Sequence, residues 1–156
     1  MHIGVCYGFG CSFFFSNTNF QNTNKIMIKA NELRIGNFVE WNKGLFKCCQ
    51  IFNNSVENEL WCKPLNELHP IEITEQILVK LGFSKDTEIQ QEFSYVLKLK
   101  NRITVAYYKA DNSCFSIEQD NKLIDLGHSK VKYLHQLQNI VFSLVGEELV
   151  FSSTEP

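Results

Sequence analysis

The chain lacks the positive charge excess and the long apolar run that would direct it to nucleic acid or to a membrane. Its 156 residues include 15 Lys and Arg against 17 Asp and Glu, so the net charge is −2 and no global positive field attracts polyanions. No stretch approaches the ~18 apolar residues that a membrane-spanning helix needs. We therefore expect a single globular domain with no membrane partner, of unknown oligomeric state.

Motifs for catalysis and for metal binding are also missing. The sequence contains no Gly-rich phosphate loop, no serine elbow and no H-E-x-x-H motif, which predicts a protein that is not an enzyme and has no cofactor. Six cysteines are present but no C-x-x-C pair, so a structural zinc site lacks its usual spacing. The cysteines are interpreted as small apolar or surface thiols in a reducing cytoplasm.

The first 26 residues are poor in charge. They hold one charged residue, Lys25, and five of the thirteen phenylalanines. Three interpretations compete: a poorly structured or non-native leader with Met27 as the true start, a secretory signal, or an N-terminal strand. A signal would need a basic residue before the apolar stretch and a small-x-small cleavage site after it, and both are lacking. We favour the leader, and a cytoplasmic location in a host bacterial cell without secretion.

Two halves are predicted within a single α+β domain at 27–151. A β-rich half at about 33–69 contains short strands separated by turns, which indicates a small sheet or partial barrel. The second half, about 70–151, begins with a helix over about 74–81, capped by Thr74 and ended by Gly82. Four short strands then form an antiparallel meander. A closing helix packs on this sheet, and residues 152–156 form a frayed tail.

Three segments resemble one family. They are "KANELRIGNFVEW" at 29–41, "PIEITEQILVKLGF" at 70–83 and "VKYLHQLQNIVFSLVGEELVF" at 131–151. Together they are similar to small uncharacterised proteins carried by phages and prophages of Bacteroidetes-type bacteria. The resemblance covers about 27–151 and implies a phage or mobile-element origin and a start at Met27. It implies no activity and no catalytic residues.

Two groups of residues are candidates for binding. His135, Gln138 and Asn139 share one face of the closing helix, where they could bind a partner. The alternative, which we favour, is a polar seam that hydrogen-bonds to adjoining parts of the chain. A basic hairpin could instead bind single-stranded nucleic acid, because cations beside aromatic rings suit phosphates and bases. Its residues are Lys98, Lys100, Arg102, Tyr108 and Lys109, and they fit a solvated outer face equally well.

The sequence therefore predicts a non-enzymatic phage or mobile-element accessory protein that binds a macromolecule, most simply a protein. One alternative is a module that binds single-stranded nucleic acid through the basic hairpin. The other is a counter-defence inhibitor that docks on a host nuclease complex, which only the resemblance suggests.

Overall fold

The chain forms an α+β fold, as the sequence predicts. The computed structural model describes residues 26–85, 94–100, 103–108, 114–119, 122–125 and 130–151. Within these ranges, ten strands form antiparallel sheets of two, three and five strands, accompanied by two α-helices. Residues 1–25 of the predicted leader and the predicted frayed tail lie outside the described residues.

The β-rich half is a curled arrangement of two small sheets. One sheet pairs β1 with β2, and the other has the order β3-β4-β5. The Cys48 amide donates to Asn37 in front of β1, and the Cys49 amide donates to Glu57 in β4, so one bent segment joins both sheets. The strands are β1 (Phe38–Trp41), β2 (Gly44–Lys47), β3 (Gln50–Ile51), β4 (Ser55–Glu57) and β5 (Cys62–Pro64).

The chain beyond β5 returns to β1. After a short 3-10 helix at Leu65–Glu67, Glu40 and His69 form an antiparallel bridge, with N–H···O distances of 2.8 and 2.9 Å in the two directions. This pairing returns the chain to β1, so that the two sheets enclose one small core, and we call this arrangement the partial barrel. Its interior is filled by a separate small core, consisting of Ile28, Val39, Phe46, Cys48, Val56 and Leu68.

Helix α1 (Glu75–Lys80) has the predicted ends. The Thr74 hydroxyl accepts the Ile77 amide at 3.3 Å, which satisfies one free donor of the first turn. Gly82 has a φ of +87°, a conformation that glycine adopts without strain. The reversal at Gly82 sends the chain into a two-residue strand, β6 (Ser84–Lys85). Strand β6 was not predicted, because a strand of two residues is too short to show an alternating pattern in the sequence.

The second half is built on the five-stranded sheet. The four predicted strands are present in the predicted order, and β6 pairs with the outer side of the first of them, so the sheet order is β10-β9-β8-β7-β6. One face carries the buried residues Tyr95, Ile103, Val105 and Tyr107. The remaining strands are β7 (Ser94–Lys98), β8 (Ile103–Tyr108), β9 (Cys114–Gln119) and β10 (Lys122–Asp125).

Helix α2 (Leu134–Val145) supplies the other side of this larger core. Leu134, Leu137 and Val141 are buried together with the inner sheet face and α1, as the helical spacing predicts. Gly146 ends the helix with a φ of +69° and donates to the Phe142 carbonyl at 2.8 Å. Neither α1 nor α2, the two α-helices in the described part of the chain, is long and apolar enough to cross a membrane.

Candidate functional site

Two tight turns bring two tryptophans to the same end of the partial barrel. In the β1–β2 turn, Asn42 and Lys43 have φ values of +49° and +63°. Such a two-residue turn matches the twist of a hairpin and sets Trp41 opposite Gly44. In the β4–β5 turn, the Asn58 side chain accepts the amides of Leu60 and Trp61 at 2.9 and 2.7 Å. Both turns are therefore held by backbone geometry or hydrogen bonds.

The residues at this end continue the barrel core outward. Lys63 lies opposite Val56, a core residue, in the β4–β5 pairing. Trp41 is two positions after Val39 in β1, so the period of two places both side chains on one face, and the Trp61 ring lies beside that of Trp41. We call this site the two-tryptophan surface, and it consists of Trp41, Leu60, Trp61 and Lys63.

Large apolar side chains are exposed on this surface. Leu60 is 80% exposed and Trp61 is 55% exposed. The Trp41 and Trp61 ring centroids are 6.5 Å apart and the ring planes are inclined by 35°. The Lys63 Nζ lies 3.9 Å from the Trp41 ring centroid and 5.4 Å from that of Trp61. The Lys63 ammonium group thus lies over the Trp41 ring and beside the Trp61 ring.

Trp41 is held in place by two neighbouring residues. Its ring packs edge-on against the buried Phe46 at 6.4 Å, and its indole N–H donates to the Glu67 carboxylate at 3.2 Å. The two charged groups in contact with Trp41, the Lys63 ammonium and the Glu67 carboxylate, are opposite in sign. The surface is therefore apolar and aromatic in character, without the excess of cations that a phosphate backbone requires.

The three helix residues that the sequence singled out lie in a polar seam between the two halves. Gln138 is fully buried. Its side-chain oxygen accepts the Phe38 amide at 2.8 Å, and its nitrogen donates to the Gly36 and Leu149 carbonyls at 3.4 and 3.3 Å. Asn139 donates to the Glu32 carbonyl at 3.0 Å. These bonds match the internal alternative, and Gln138 presents no surface to a partner.

His135 is buried beside this seam. It is 1% exposed, and its ring stacks on Tyr133 at 5.9 Å. Both ring nitrogens are buried and neither has a hydrogen-bond partner. Burial lowers the pKa of His135 below its ordinary value, while the nearby Glu32 carboxylate opposes that shift. Burial therefore favours the neutral form of the ring, and almost none of the ring surface is exposed.

An exposed ion pair closes the seam. The Arg34 guanidinium binds the Glu148 carboxylate through both terminal nitrogens, one of them at 2.8 Å, and lies 3.8 Å above the Phe142 ring. These hydrogen bonds lower the pKa of Glu148. Gly36 passes so close to this pair that an added Cβ would lie 2.8 Å from the carboxylate. The pair is thus part of the packing between the halves.

The basic hairpin is only partly within the described residues. Lys98 is exposed on β7, but Lys100 is paired with Glu147 at 2.8 Å, which raises the Lys100 pKa. Tyr108 and Lys98 lie at opposite ends of the β7–β8 pairing, where Tyr108 is opposite Ser94 and Lys98 is opposite Thr104. Arg102 and Lys109 lie outside the described residues. The described members therefore do not gather around one site.

Cys48, Cys49 and Cys62 are free thiols. Burial raises the pKa of Cys48 to about 12, with the neighbouring Cys49 as a smaller cause, so the thiol is unreactive at neutral pH. Among the described residues, no group of three or more His, Cys, Asp and Glu side chains could hold a metal ion.

The two-tryptophan surface was not predicted. Trp41 and Trp61 both fall in the predicted β-rich half, but twenty positions separate them in the chain. The available signal was a large aromatic residue directly beside a predicted turn, in "EWNKG" and again in "NELW". Turn residues are exposed, so a tryptophan there indicates a surface site. No family model, curated protein or solved structure matches the chain.

Proposed function

We propose that this protein acts by binding a protein partner through the two-tryptophan surface, without catalysing a reaction. The observation that carries the proposal is the exposure of Leu60 and Trp61 on a turn fixed by Asn58. Tryptophan is enriched among the residues that dominate binding energies, because one side chain removes a large apolar area from water. A side chain on a rigid turn also loses little freedom on binding.

The charges at this surface favour a protein partner over nucleic acid. The Lys63 and Glu67 charges beside Trp41 cancel, so phosphates would find no net attraction there. The pairing of Lys100 with Glu147 also reduces the charge available on the basic hairpin. Nucleic-acid binding through that hairpin is the alternative, and it is tested separately by salt dependence.

The resemblance to phage and prophage proteins supports a role as an accessory protein of a mobile element in a bacterial host cell. The two-tryptophan surface, held by tight turns, suits a protein that blocks the action of another protein or recruits it. The counter-defence alternative, in which the partner is a host nuclease complex, is one form of this same proposal.

Photo-crosslinking tests the proposal. A photoreactive residue replaces Leu60 in one variant and Val79 in another, since Val79 is also exposed, at 55%, but lies on α1. Both variants are produced in the organism that encodes the protein. We expect a discrete protein adduct from position 60 alone. Adducts from both positions, or from neither, would contradict the proposal.

Two further substitutions make the crosslinking specific. Trp61→Ala should abolish the adduct from position 60. Phe52→Ala should leave it unchanged, because Phe52 is 48% exposed but belongs to the turn at the other end of β4. An adduct that survives Trp61→Ala would show that the indole does not contribute to binding.

A further inference from the structure

We infer that the polar seam between the two halves is a pH-sensitive contact. When His135 takes up a proton, the halves separate along the seam while each half keeps its own core. This device is independent of the proposed partner, because the two-tryptophan surface lies outside the seam.

The seam can open without the unfolding of either half. Each half has a buried core of its own. The contact between them includes hydrogen bonds from Gln138 to Phe38 and from Asn139 to Glu32, which water can replace at a small net cost once the groups are exposed. The Phe38 ring also crosses the seam and packs edge-on against Phe151 at 5.2 Å. This apolar contact favours the closed seam at neutral pH.

His135 lies where a positive charge is unfavourable while the seam is closed. The residue is 1% exposed, and both of its ring nitrogens are buried without a hydrogen-bond partner. A protonated imidazole has two N–H donors, and burying a charge without partners is costly. Asn139 is one turn further along the same face of α2 and contacts Glu32 on the other side of the seam. Opening the seam therefore brings water to the histidine ring.

The ionisable groups around the ring come from both sides of the seam. Across the seam, the Glu32 carboxylate favours the protonated ring but opposes only part of the effect of burial on the His135 pKa. Helix α2 has no other ionisable side chain. Ahead of α2, Tyr133 stacks on the histidine ring, and the Lys132 ammonium group is paired with Glu72 at 3.2 Å. Burial therefore dominates, and the closed seam disfavours the proton.

The charged pair in the seam lies away from His135. Arg34 binds Glu148 and lies over the Phe142 ring, which is about two turns beyond His135 in α2. Hydrogen bonds from Arg34 lower the pKa of Glu148, so this pair stays ionised between pH 7.5 and 5.5. Histidine is the residue type that ordinarily changes its charge in that range. His135 is therefore the described member of the seam that responds to acidification.

Amide hydrogen exchange in the full-length protein, followed by NMR, measures the opening directly. The Phe38 amide donates across the seam to Gln138 at 2.8 Å, so its exchange reports the opening of the seam. The Cys48 amide donates to Asn37 at 2.8 Å within the β-rich half, so its exchange reports the unfolding of that half. At pH 7.5 we expect Phe38 to be at least about tenfold less protected than Cys48, because a local opening requires less free energy than unfolding.

Acidification should then weaken the protection of Phe38. An imidazole in the open seam titrates near its ordinary pKa of about 6.5, while the buried ring has a lower pKa. Linkage therefore increases the population of the open form as the pH falls. After correction for the intrinsic exchange rate, the Phe38 protection should fall about five- to tenfold between pH 7.5 and 5.5.

Substitutions assign this response to His135. His135→Leu and His135→Gln carry side chains that do not titrate, and each should abolish the fall in Phe38 protection. Glu32→Gln is the control on an exposed residue. It removes the carboxylate that favours the protonated ring, so the fall should remain or become larger.

Four results would overturn the inference. Equal protection of Phe38 and Cys48 at pH 7.5 would mean that the halves separate only when they unfold. Constant Phe38 protection between pH 7.5 and 5.5 would mean that the seam does not respond to acid. A fall that persists in both His135 variants, or one that disappears in Glu32→Gln, would assign the response to another group.

Discussion

Replacing Gln138 by leucine should destabilise the protein more than any other single polar substitution in the seam. Gln138 is fully buried between the two halves and its amide bonds three backbone groups, those of Gly36, Phe38 and Leu149. Leucine has a similar volume and fills the same space. The substitution therefore removes the hydrogen bonds without leaving a large cavity.

The expected loss is about 3 kcal/mol. A buried backbone group left without a partner costs about 1–3 kcal/mol. The Phe38 amide, bonded at 2.8 Å, should account for most of this. The two carbonyl contacts, at 3.3 and 3.4 Å, are longer and contribute less. A loss of this size corresponds to a fall of roughly 10 °C in the melting temperature of a domain of this length.

Denaturant unfolding followed by circular dichroism measures this loss. Asn139→Ala is the matched control, because Asn139 is the neighbouring residue, is partly exposed and donates one bond to Glu32. We expect it to lose about 0.5–1.5 kcal/mol. If the seam also couples the halves, Gln138→Leu should lower the slope of the unfolding transition, since that slope follows the surface exposed in one cooperative step.

A loss below ~0.5 kcal/mol in Gln138→Leu, the size of an ordinary surface change, would refute this reasoning. Gln138→Glu provides an independent check. An ionised carboxylate can accept the Phe38 amide but must face the Gly36 and Leu149 carbonyls without a proton to donate. Its stability relative to the wild type should therefore improve as the pH is lowered and the carboxyl becomes protonated. No improvement would mean that the carbonyls are not partners of this side chain.

Three further predictions concern the core, pH and nucleic acid. Leu137→Ala should lower the free energy of unfolding by about 2–5 kcal/mol, because Leu137 is fully buried in the larger core. A loss as small as that of an exposed residue would mean that Leu137 is not in the core. The pKa of His135 is lowered in the folded protein. As the pH falls below the ordinary pKa near 6.5, the ring is therefore protonated in the unfolded chain more readily than in the folded chain, which favours unfolding. Stability should fall as the pH drops from 7.5 to 5.5, by up to ~1.4 kcal/mol per pH unit from this group, and His135→Leu should flatten that dependence; equal profiles would contradict the assignment. If the basic hairpin binds single strands, anisotropy should show a log–log salt slope of about −2, abolished when Lys98, Lys100 and Arg102 are all replaced by Gln. We expect instead no binding tighter than ~100 μM near physiological salt.

Local patterns in the sequence were sufficient for the α+β class and for most element positions. Thr74 and Gly82 mark the ends of α1, and Gly146 marks the end of α2, because capping and positive φ depend on residue type within one turn. Leu134, Leu137 and Val141 recur at helical spacing in the sequence, which indicates the closing helix because a helix repeats its faces every 3.6 residues. The strand β6 was missed because a two-residue strand exists only through its pairing partner.

The tertiary structure decided which groups the polar residues bond and which aromatic residues meet at the surface. An internal seam at His135, Gln138 and Asn139 was favoured from the sequence, but only the contact with the β-rich half shows that the partners are the backbone groups of Glu32, Gly36 and Phe38. Trp41 and Trp61 meet because the return of the chain to β1 curls two sheets into a partial barrel, a non-local pairing that no local pattern encodes. Local chemistry in the sequence thus determined the elements, while long-range closure determined the candidate binding surface.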